Sequence, residues 1–173
     1  MDVACTPSPA TPGFDPRDLR RALGSFGTGV TVVSTLAADG RRVGVTVNSF
    51  SSVSLVPPIV AWSLQCRSPS LAAFDGCGRF VINVLALEQL PLSRRFASPL
   101  PDKFDGVAHH AGLAGLPLID GCAASFQCRT VQRHEVGDHV LYLGQVEAYA
   151  HRPGAGLLFC QGRYAQGVEL DAA

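Results

Sequence analysis

From Val30 onward, much of the chain alternates apolar and polar residues with a period of two, which is the pattern of half-buried β-strands. The runs TVVSTLA and RVGVTVNS flank an Ala38-Asp39-Gly40 turn, which predicts a β-hairpin with Asp-Gly at its tip. Strand-like runs also occupy residues 59–65 and 79–85, and the final third of the chain predicts three antiparallel strands. Six or seven strands without regular strand–helix alternation predict a mainly β, closed antiparallel barrel.

Only a few short helices are expected beside these strands. Asp15 and Pro16 form an N-cap and first-turn proline pattern, and apolar residues at helical spacing follow as far as Gly24. A second helix is expected to start at Arg67-Ser68-Pro69-Ser70, with Pro69 in its first position. The helical composition of ALEQLPLSRRFA is interrupted by Pro91.

The length of 173 residues is typical of one domain. Residues 1–13 are rich in proline and small side chains and carry too little apolar surface to offset the entropy of ordering. We therefore expect a disordered N-terminal arm at 1–13 and a single domain at 14–173.

Charge and cysteine usage exclude several classes of function. The 14 basic side chains balance the 14 acidic ones, so the chain lacks the net positive charge that favours nucleic acid or an anionic membrane surface. Neither an 18-residue apolar stretch nor a basic leader is present, so we expect a cytoplasmic protein. The six cysteines are widely spaced without a CxxC pair, which predicts reduced thiols and no metal site.

The densest group of hydrogen-bonding side chains lies at residues 46–54, with five hydroxyls and one amide within nine residues. Uncharged donors and acceptors at the mouth of a barrel suit a flat heteroaromatic ligand, because each can be matched without burying a charge. A serine-rich loop without a ligand is the alternative interpretation.

Two shorter motifs also carry possible chemistry. Arg67, Ser68 and Ser70 place a cation and two hydroxyls at an expected helix N-terminus, which favours an anion such as a phosphate. The alternative is a plain N-cap. Gly137-Asp138-His139 supplies an imidazole beside a carboxylate, and its alternative is an ordinary turn with a surface histidine.

Six motifs, GVTVNSFSSVSLVPPIVAWSL, RSPS, FVINVL, DKF, GDH and GRY, occur in this order. This set resembles the split-barrel flavin reductases, the reductase components of two-component flavin-dependent monooxygenases, from about Asp18 to Tyr164. The resemblance implies a homodimer of six-stranded antiparallel Greek-key split barrels, the FMN-binding split barrel, with flanking helices. It also implies binding of FMN or FAD and the use of NADH or NADPH as hydride donor.

The resemblance assigns roles to individual positions. It places Thr46, Asn48, Ser49 and Ser52 at the flavin ring edge and ribityl chain, Ser63 and Cys66 beside the ring, Ser68 and Ser70 at the phosphate, and Lys103 and Phe104 at a further flavin contact. His139 is the expected catalytic residue, facing the nicotinamide. Backbone N–H groups near Ser49 and Ser63 are expected to stabilise the reduced ring.

The expected reaction is hydride transfer from the nicotinamide to the flavin, with the two rings held stacked and the reduced flavin delivered to a partner monooxygenase. One alternative is a flavin-storage protein, which would lack nicotinamide-side groups such as Gly137-Asp138-His139. Another is an FMN-dependent oxidase on the same barrel, which would need clustered basic residues. The single lysine and the arginines scattered along the sequence disfavour that oxidase.

Overall fold

The computed structural model of the chain describes residues 13–168. The predicted arm at 1–13 lies outside these residues except for Gly13. Within the described range there are three α-helices, α1 (Pro16–Gly24), α2 (Leu71–Cys77) and α3 (Leu90–Ala97), and two 3-10 helices at Leu87–Gln89 and Leu113–Gly115. The strands of the same range are β1 (Thr28–Gly29), β2 (Thr31–Leu36), β3 (Arg42–Val47), β4 (Ser51–Leu55), β5 (Pro58–Gln65), β6 (Arg79–Val84), β7 (His109–Ala111), β8 (Pro117–Ile119), β9 (Ala124–Val136), β10 (His139–His151), β11 (Leu157–Cys160) and β12 (Arg163–Gln166).

The main sheet is antiparallel and has the strand order β3-β2-β6-β9-β10-β5-β4. Two smaller sheets, β1-β11-β12 and β7-β8, accompany it in the described range. The predicted β2–β3 hairpin is confirmed, with Gly40 in a left-handed conformation at its turn. The seven strands agree with the six or seven expected from the sequence pattern and are one more than the six-stranded barrel implied by the resemblance. Strand β4 is almost entirely exposed and rich in serine, so it lacks the apolar alternation by which strands are found.

The core packs around the alternating side chains of β5. Trp62 is fully buried and stacks on Tyr142 of β10, with ring centroids 4.8 Å apart. Phe74 of α2 and Phe80 of β6 meet the same indole ring edge-on, at 4.9 and 5.6 Å. These contacts join α2 to the centre of the sheet, so the turn before α2 is fixed relative to β5 and β10.

Helix α3 packs against the face of β3 that carries Gly44 and Thr46. Pro91 does not interrupt this helix, because it lies in the first turn, where a missing N–H costs nothing. Phe96 is buried against Gly44, and the Thr46 hydroxyl donates a hydrogen bond of 2.7 Å to the Ser93 carbonyl. The polar face of β3 is therefore partly used for packing.

The other two helices differ in how the structure anchors them. Helix α1 begins as predicted, with the Asp15 carboxylate accepting a hydrogen bond of 2.8 Å from the Arg17 N–H, yet none of its residues is buried. The predicted start of α2 at Pro69 is wrong. The helix begins at Leu71 with Ser70 as its N-cap, and Pro69 lies in the preceding turn.

None of the helices formed by residues 13–168 has the length and apolar character needed to cross a membrane. Four cysteines in this range, Cys77, Cys122, Cys128 and Cys160, are free thiols, as predicted. Cys66 is not a free thiol, so the prediction is wrong at this position. The described residues contain no group of three or more His, Cys, Asp or Glu side chains placed to hold a metal ion.

Candidate functional site

A cleft of about 1050 Å³ opens where β3, the end of β5, the turn at 67–70 and the segment after α3 meet. Eight of the eleven predicted site residues line it, from well-separated parts of the chain. They are Thr46, Asn48, Ser49, Ser63, Ser68, Ser70, Lys103 and His139. Three predicted residues, Ser52, Cys66 and Phe104, are not brought to the cleft.

The charge of the cleft wall differs from that of the whole chain. Arg41, Arg42, Arg67 and Lys103 line the cleft, and no Asp or Glu side chain of residues 13–168 is among its lining residues. The expectation of scattered arginines is wrong here, because folding brings three of them to one space. Sequence analysis missed Arg41 and Arg42. The available signal is an adjacent basic pair directly after the Asp39-Gly40 turn and only a few residues before the hydroxyl cluster.

Ser49 and Ser63 form a reciprocal brace between the end of β3 and strand β5. The Ser49 hydroxyl accepts a hydrogen bond of 3.0 Å from the Ser63 N–H and donates one of 3.2 Å to the Ser63 carbonyl oxygen. The Ser63 N–H therefore already has a protein partner and is not free to donate to a bound ring. The brace instead fixes the position of the neighbouring Asn48.

Asn48 and Thr46 present different hydrogen-bonding capacities. The Thr46 proton is committed to the Ser93 carbonyl, so its hydroxyl oxygen can only accept from a ligand. Asn48 is exposed, and its amide has no hydrogen-bond partner within residues 13–168. Its carbonyl oxygen and NH₂ group can therefore both serve a ligand.

His139 lies at the cleft edge because β10 begins there, opposite Gln65 at the end of β5. Its Nδ1 is 2.7 Å from a carboxylate oxygen of Asp138. The hydrogen bond from His139 holds the pKa of Asp138 below its usual value, with a smaller contribution from the charge of Arg67. Since an ionised carboxylate only accepts, Nδ1 carries the proton and Nε2 is left without this partner.

The turn that precedes α2 closes one end of the cleft. The Ser68 hydroxyl oxygen accepts a hydrogen bond of 3.3 Å from the Ser70 N–H, and the Ser68 N–H donates to the Gln65 carbonyl at 2.9 Å. The Ser70 hydroxyl makes no capping bond to the helix. Arg67 donates a hydrogen bond of 3.2 Å to the Gln65 side chain. The turn thus brings two hydroxyls and one cation to the same wall.

Lys103 reaches the cleft from a loop that Arg95 holds together. Arg95 donates to the carbonyls of Lys103 and Asp105, each at 2.7 Å. The Lys103 ammonium donates to the Phe96 carbonyl at 2.8 Å, and partial burial lowers the pKa of this lysine. The ammonium keeps two further N–H groups for a ligand.

The three predicted residues that lie elsewhere are displaced for identifiable reasons. Ser52 lies on the exposed edge strand β4, where it pairs with Val60 of β5, beyond the short connection between β3 and β4. Cys66 packs its half-buried side chain against the main core. Phe104 is 3% exposed and packs edge-on against Phe96, so it is a core residue although its neighbour Lys103 lines the cleft.

Comparison with known proteins gives this arrangement a family. The family model described as "Flavin reductase like domain" matches residues 23–167, which include every cleft residue named above. The chain belongs to this flavin reductase family. Its mainly β split-barrel fold, predicted from the sequence, is confirmed by the structures it resembles.

Three relatives illustrate the range of this flavin reductase family. The chain is 42% identical to the FMN reductase (NADH) SmoA of Agrobacterium fabrum, covering 89% of this chain and 87% of SmoA. It is 43% identical to the reductase component of the flavin-dependent trigonelline monooxygenase of Acinetobacter baylyi, over 86% of this chain and 48% of that protein. The solved structure of the Streptomyces globisporus NADH:FAD oxidoreductase SgcE6 has a TM-score of 0.86 at 34% identity, covering 95% of this chain and all of that one. The chain thus spans about half the length of some of the curated relatives it matches.

Proposed function

We propose that this chain is an NAD(P)H-dependent flavin reductase that transfers hydride from NADH or NADPH to FMN or FAD. The observation that carries the proposal is the convergence of eight polar or charged residues, each singled out in the sequence, on one cleft. The names of the relatives support the same activity. The reaction supplied by a bound flavin is acceptance of a hydride from the reduced nicotinamide.

The residues of the cleft fit a flavin in charge and size. A flavin joins an uncharged ring, edged by carbonyl and ring nitrogen atoms, to a phosphate-bearing chain. Uncharged groups at Thr46 and Asn48 suit the ring edge, whereas Lys103 and Arg67 suit the phosphate. No carboxylate from the described part of the chain lines the cleft to repel it. The volume of about 1050 Å³ is at the upper end of small-molecule sites, which are roughly 300–1,000 Å³.

Each cleft residue then has a proposed task. Asn48 binds the ring edge with its side-chain amide, Thr46 accepts a hydrogen bond, and the brace between Ser49 and Ser63 keeps Asn48 in place. The hydroxyls of Ser68 and Ser70 and the ammonium of Lys103 bind the phosphate-bearing chain. We propose no ligand contact for Ser52, Cys66 or Phe104.

His139 is proposed to face the nicotinamide. Its Nδ1–H is held by Asp138, which fixes the orientation of the imidazole and directs Nε2 away from that carboxylate. An oriented imidazole at the cleft edge can position a second ring against the first. Hydride transfer requires such stacking at near-attack distance, about 3 to 3.5 Å.

We further propose that the chain supplies reduced flavin to a separate monooxygenase and works in the cytoplasm. The partner is supported by the relative named as the reductase component of a monooxygenase. An open cleft, with Asn48 and Ser49 exposed, is compatible with a flavin that enters and leaves as a substrate.

A homodimer and a single domain at 14–173 are also proposed. Helix α1 leaves Leu19, Leu23 and the following Phe26 exposed at 44%, 67% and 79%, although its sequence is amphipathic. A second copy of the chain would cover this apolar face. Light scattering should give twice the chain mass, and Leu23→Glu should lower it towards one chain. A wild-type mass of one chain would contradict the dimer.

The activity is tested by mixing purified protein with excess FMN or FAD and NADH in the absence of oxygen. Loss of the visible absorbance of the flavin over many turnovers is the expected result. Binding without bleaching, measured by quenching of flavin fluorescence, would instead support a storage protein and contradict the reductase.

His139→Ala tests the nicotinamide side separately. We expect a higher KM for NADH with an unchanged Kd for flavin, because the imidazole lies at the cleft edge and is not proposed to contact the flavin. His134→Ala is the matched control, since His134 is an exposed histidine on β9 that does not line the cleft. An unchanged KM in His139→Ala would remove this residue from the site.

A further inference from the structure

Arg42 is a cleft cation whose charge is not compensated by a carboxylate of residues 13–168. It opens β3 and lines the cleft, and it has no carboxylate partner among residues 13–168. Its one hydrogen bond in this range is to the imidazole of His109, with 2.8 Å between the guanidinium Nη1 and the imidazole Nε2. The other N–H groups of the guanidinium remain available.

The neighbours of His109 determine which of its nitrogens carries the proton. Its Nδ1 lies 2.6 Å from the Val107 carbonyl oxygen, which can only accept, so Nδ1 must donate. Nε2 faces a guanidinium, which can only donate, so Nε2 must accept. The imidazole is therefore neutral, and it orients Arg42 without cancelling its charge.

His109 is itself fixed from behind the cleft wall. Its ring packs edge-on against Phe104, with centroids 5.3 Å apart, and Phe104 packs edge-on against the fully buried Phe96. His109 does not line the cleft. A core-anchored histidine thus holds the guanidinium of a cleft arginine.

The other cleft cations have different partners. Arg41 lies 3.6 Å from the carboxylate of Asp39, Arg67 binds the Gln65 side chain, and Lys103 donates to the Phe96 carbonyl. Arg42 therefore combines three properties: a full charge, a fixed orientation and a position in a cleft to which residues 13–168 contribute no carboxylate. An arginine of this kind is suited to a phosphate oxygen, which accepts two of its N–H groups at once.

We propose that Arg42, oriented by His109, binds a phosphate group of a nucleotide ligand in the cleft. This inference rests on the proposed function, which brings FMN or FAD and NADH or NADPH to the cleft. Three phosphates share the required chemistry: that of the flavin, the pyrophosphate of either pyridine nucleotide, and the 2′-phosphate found only in NADPH. His109 acts as a positioning residue and does not touch the ligand.

The test compares Arg42→Ala with Arg163→Ala, which removes the same charge from an exposed position on β12 outside the cleft. Fluorescence quenching gives the Kd of FMN and of riboflavin, which lacks the phosphate, and steady-state kinetics give KM for NADH and NADPH. Loss of one charge-assisted contact should weaken the affected ligand about tenfold in Arg42→Ala. A loss for FMN but not for riboflavin assigns the flavin phosphate to Arg42. A loss for NADPH alone assigns the 2′-phosphate, and an equal loss for NADH and NADPH assigns the pyrophosphate.

Two results would overturn the proposal. One is Arg42→Ala matching Arg163→Ala for every ligand. The other is an equal loss for FMN and riboflavin without any change for the pyridine nucleotides, because the phosphate would then play no part. If the wild-type protein binds FMN but does not oxidise NADH, the reductase function fails while the comparison of FMN with riboflavin still tests Arg42.

His109 is tested through its effect on Arg42. His109→Phe keeps the ring contact with Phe104 but removes the acceptor, and should lose much of the phosphate selectivity. His109→Gln places a carbonyl oxygen near the position of Nε2 and should restore it. The double variant Arg42→Ala/His109→Phe should match Arg42→Ala within about twofold, because both changes remove one interaction. Additive losses, or an inactive His109→Gln of unchanged stability, would show that His109 does not act through Arg42.

Discussion

Gly44 of β3 allows helix α3 to pack closely against the strand that forms one wall of the cleft. A Cβ at this position would lie 2.6 and 2.7 Å from two ring carbons of Phe96 and 3.2 Å from one of Phe104. Ordinary carbon contacts are about 3.5 to 4.0 Å, so the Phe96 ring would have to retreat by about 1 Å. Phe96 is 0% exposed, so moving its ring means displacing the core side chains packed against it.

Gly44→Ala should therefore destabilise the protein as an overpacked core does, by about 1 to 3 kcal/mol. For a chain of this length, ~2 kcal/mol corresponds to a Tm lower by about 4 to 8 °C. Urea unfolding followed by the fluorescence of Trp62 measures the change. The matched control is Gly76→Ala in α2, where an added Cβ meets no atom within 4 Å and should leave stability unchanged or raise it by up to about 1 kcal/mol.

The contact with Phe96 can be tested separately from the general cost of replacing a glycine. Phe96→Leu makes room for the new methyl group, so the double variant Gly44→Ala/Phe96→Leu should be more stable than the sum of the single effects predicts. A Gly44→Ala protein within about 0.5 kcal/mol of wild type, or single effects that simply add, would refute this account of how β3 and α3 pack.

Three further predictions concern the cleft and the buried thiols. Asn48→Ala should weaken flavin binding about fivefold without changing the free energy of unfolding, since its amide has no hydrogen-bond partner within residues 13–168. Ser52→Ala should leave the flavin Kd unchanged, and equal losses in the two variants would contradict the cleft as described. Burial lowers the pKa of Lys103, so the neutral lysine favours the folded state: this contribution is full above the unfolded pKa of about 10.4 and is lost as pH falls through the folded pKa. The urea midpoint should therefore rise with pH across this window, and it should rise less in Lys103→Met. An equal rise in Lys103→Met would contradict the lowered pKa. Burial raises the pKa of the Cys122 and Cys128 thiols to about 12, so at about pH 8 iodoacetamide should modify them only after unfolding. Mass spectrometry measures the modification, and finding either thiol modified in the native protein would contradict their burial.

The strands that sequence analysis located are those with one buried face. In β5 the side chains of Val60, Trp62 and Leu64 are buried while their neighbours are not, so the sequence shows apolar residues at every second position. Strand β4 lacks such a face because four of its five residues are exposed, and its serines read as a loop. A strand held mainly by main-chain pairing to β5 leaves no apolar pattern in the sequence.

Whether a predicted site residue lies at the cleft depends on the direction in which its side chain points from the backbone. Lys103 and Phe104 are adjacent in the DKF motif, but one side chain lines the cleft and the other packs against Phe96. Similarly, Ser49 is at the cleft and Ser52 is on the exposed edge strand. Composition locates a cluster of polar residues, whereas the path of the backbone decides which of their side chains face the cleft.

The arrangement around Arg42 shows why the remainder of the cleft needs the folded structure. Arg42 and His109 are 67 residues apart, and no local pattern links an arginine after a hairpin turn to a histidine in a long connection. Phe104 packs behind the cleft wall against the His109 ring, and it holds the imidazole where Nε2 accepts a hydrogen bond from Arg42 of β3. A net charge of zero, from which we expect no nucleic-acid partner, therefore coexists with a cleft whose lining within residues 13–168 is only neutral and basic. Binding of a phosphate depends on that local charge and not on the total.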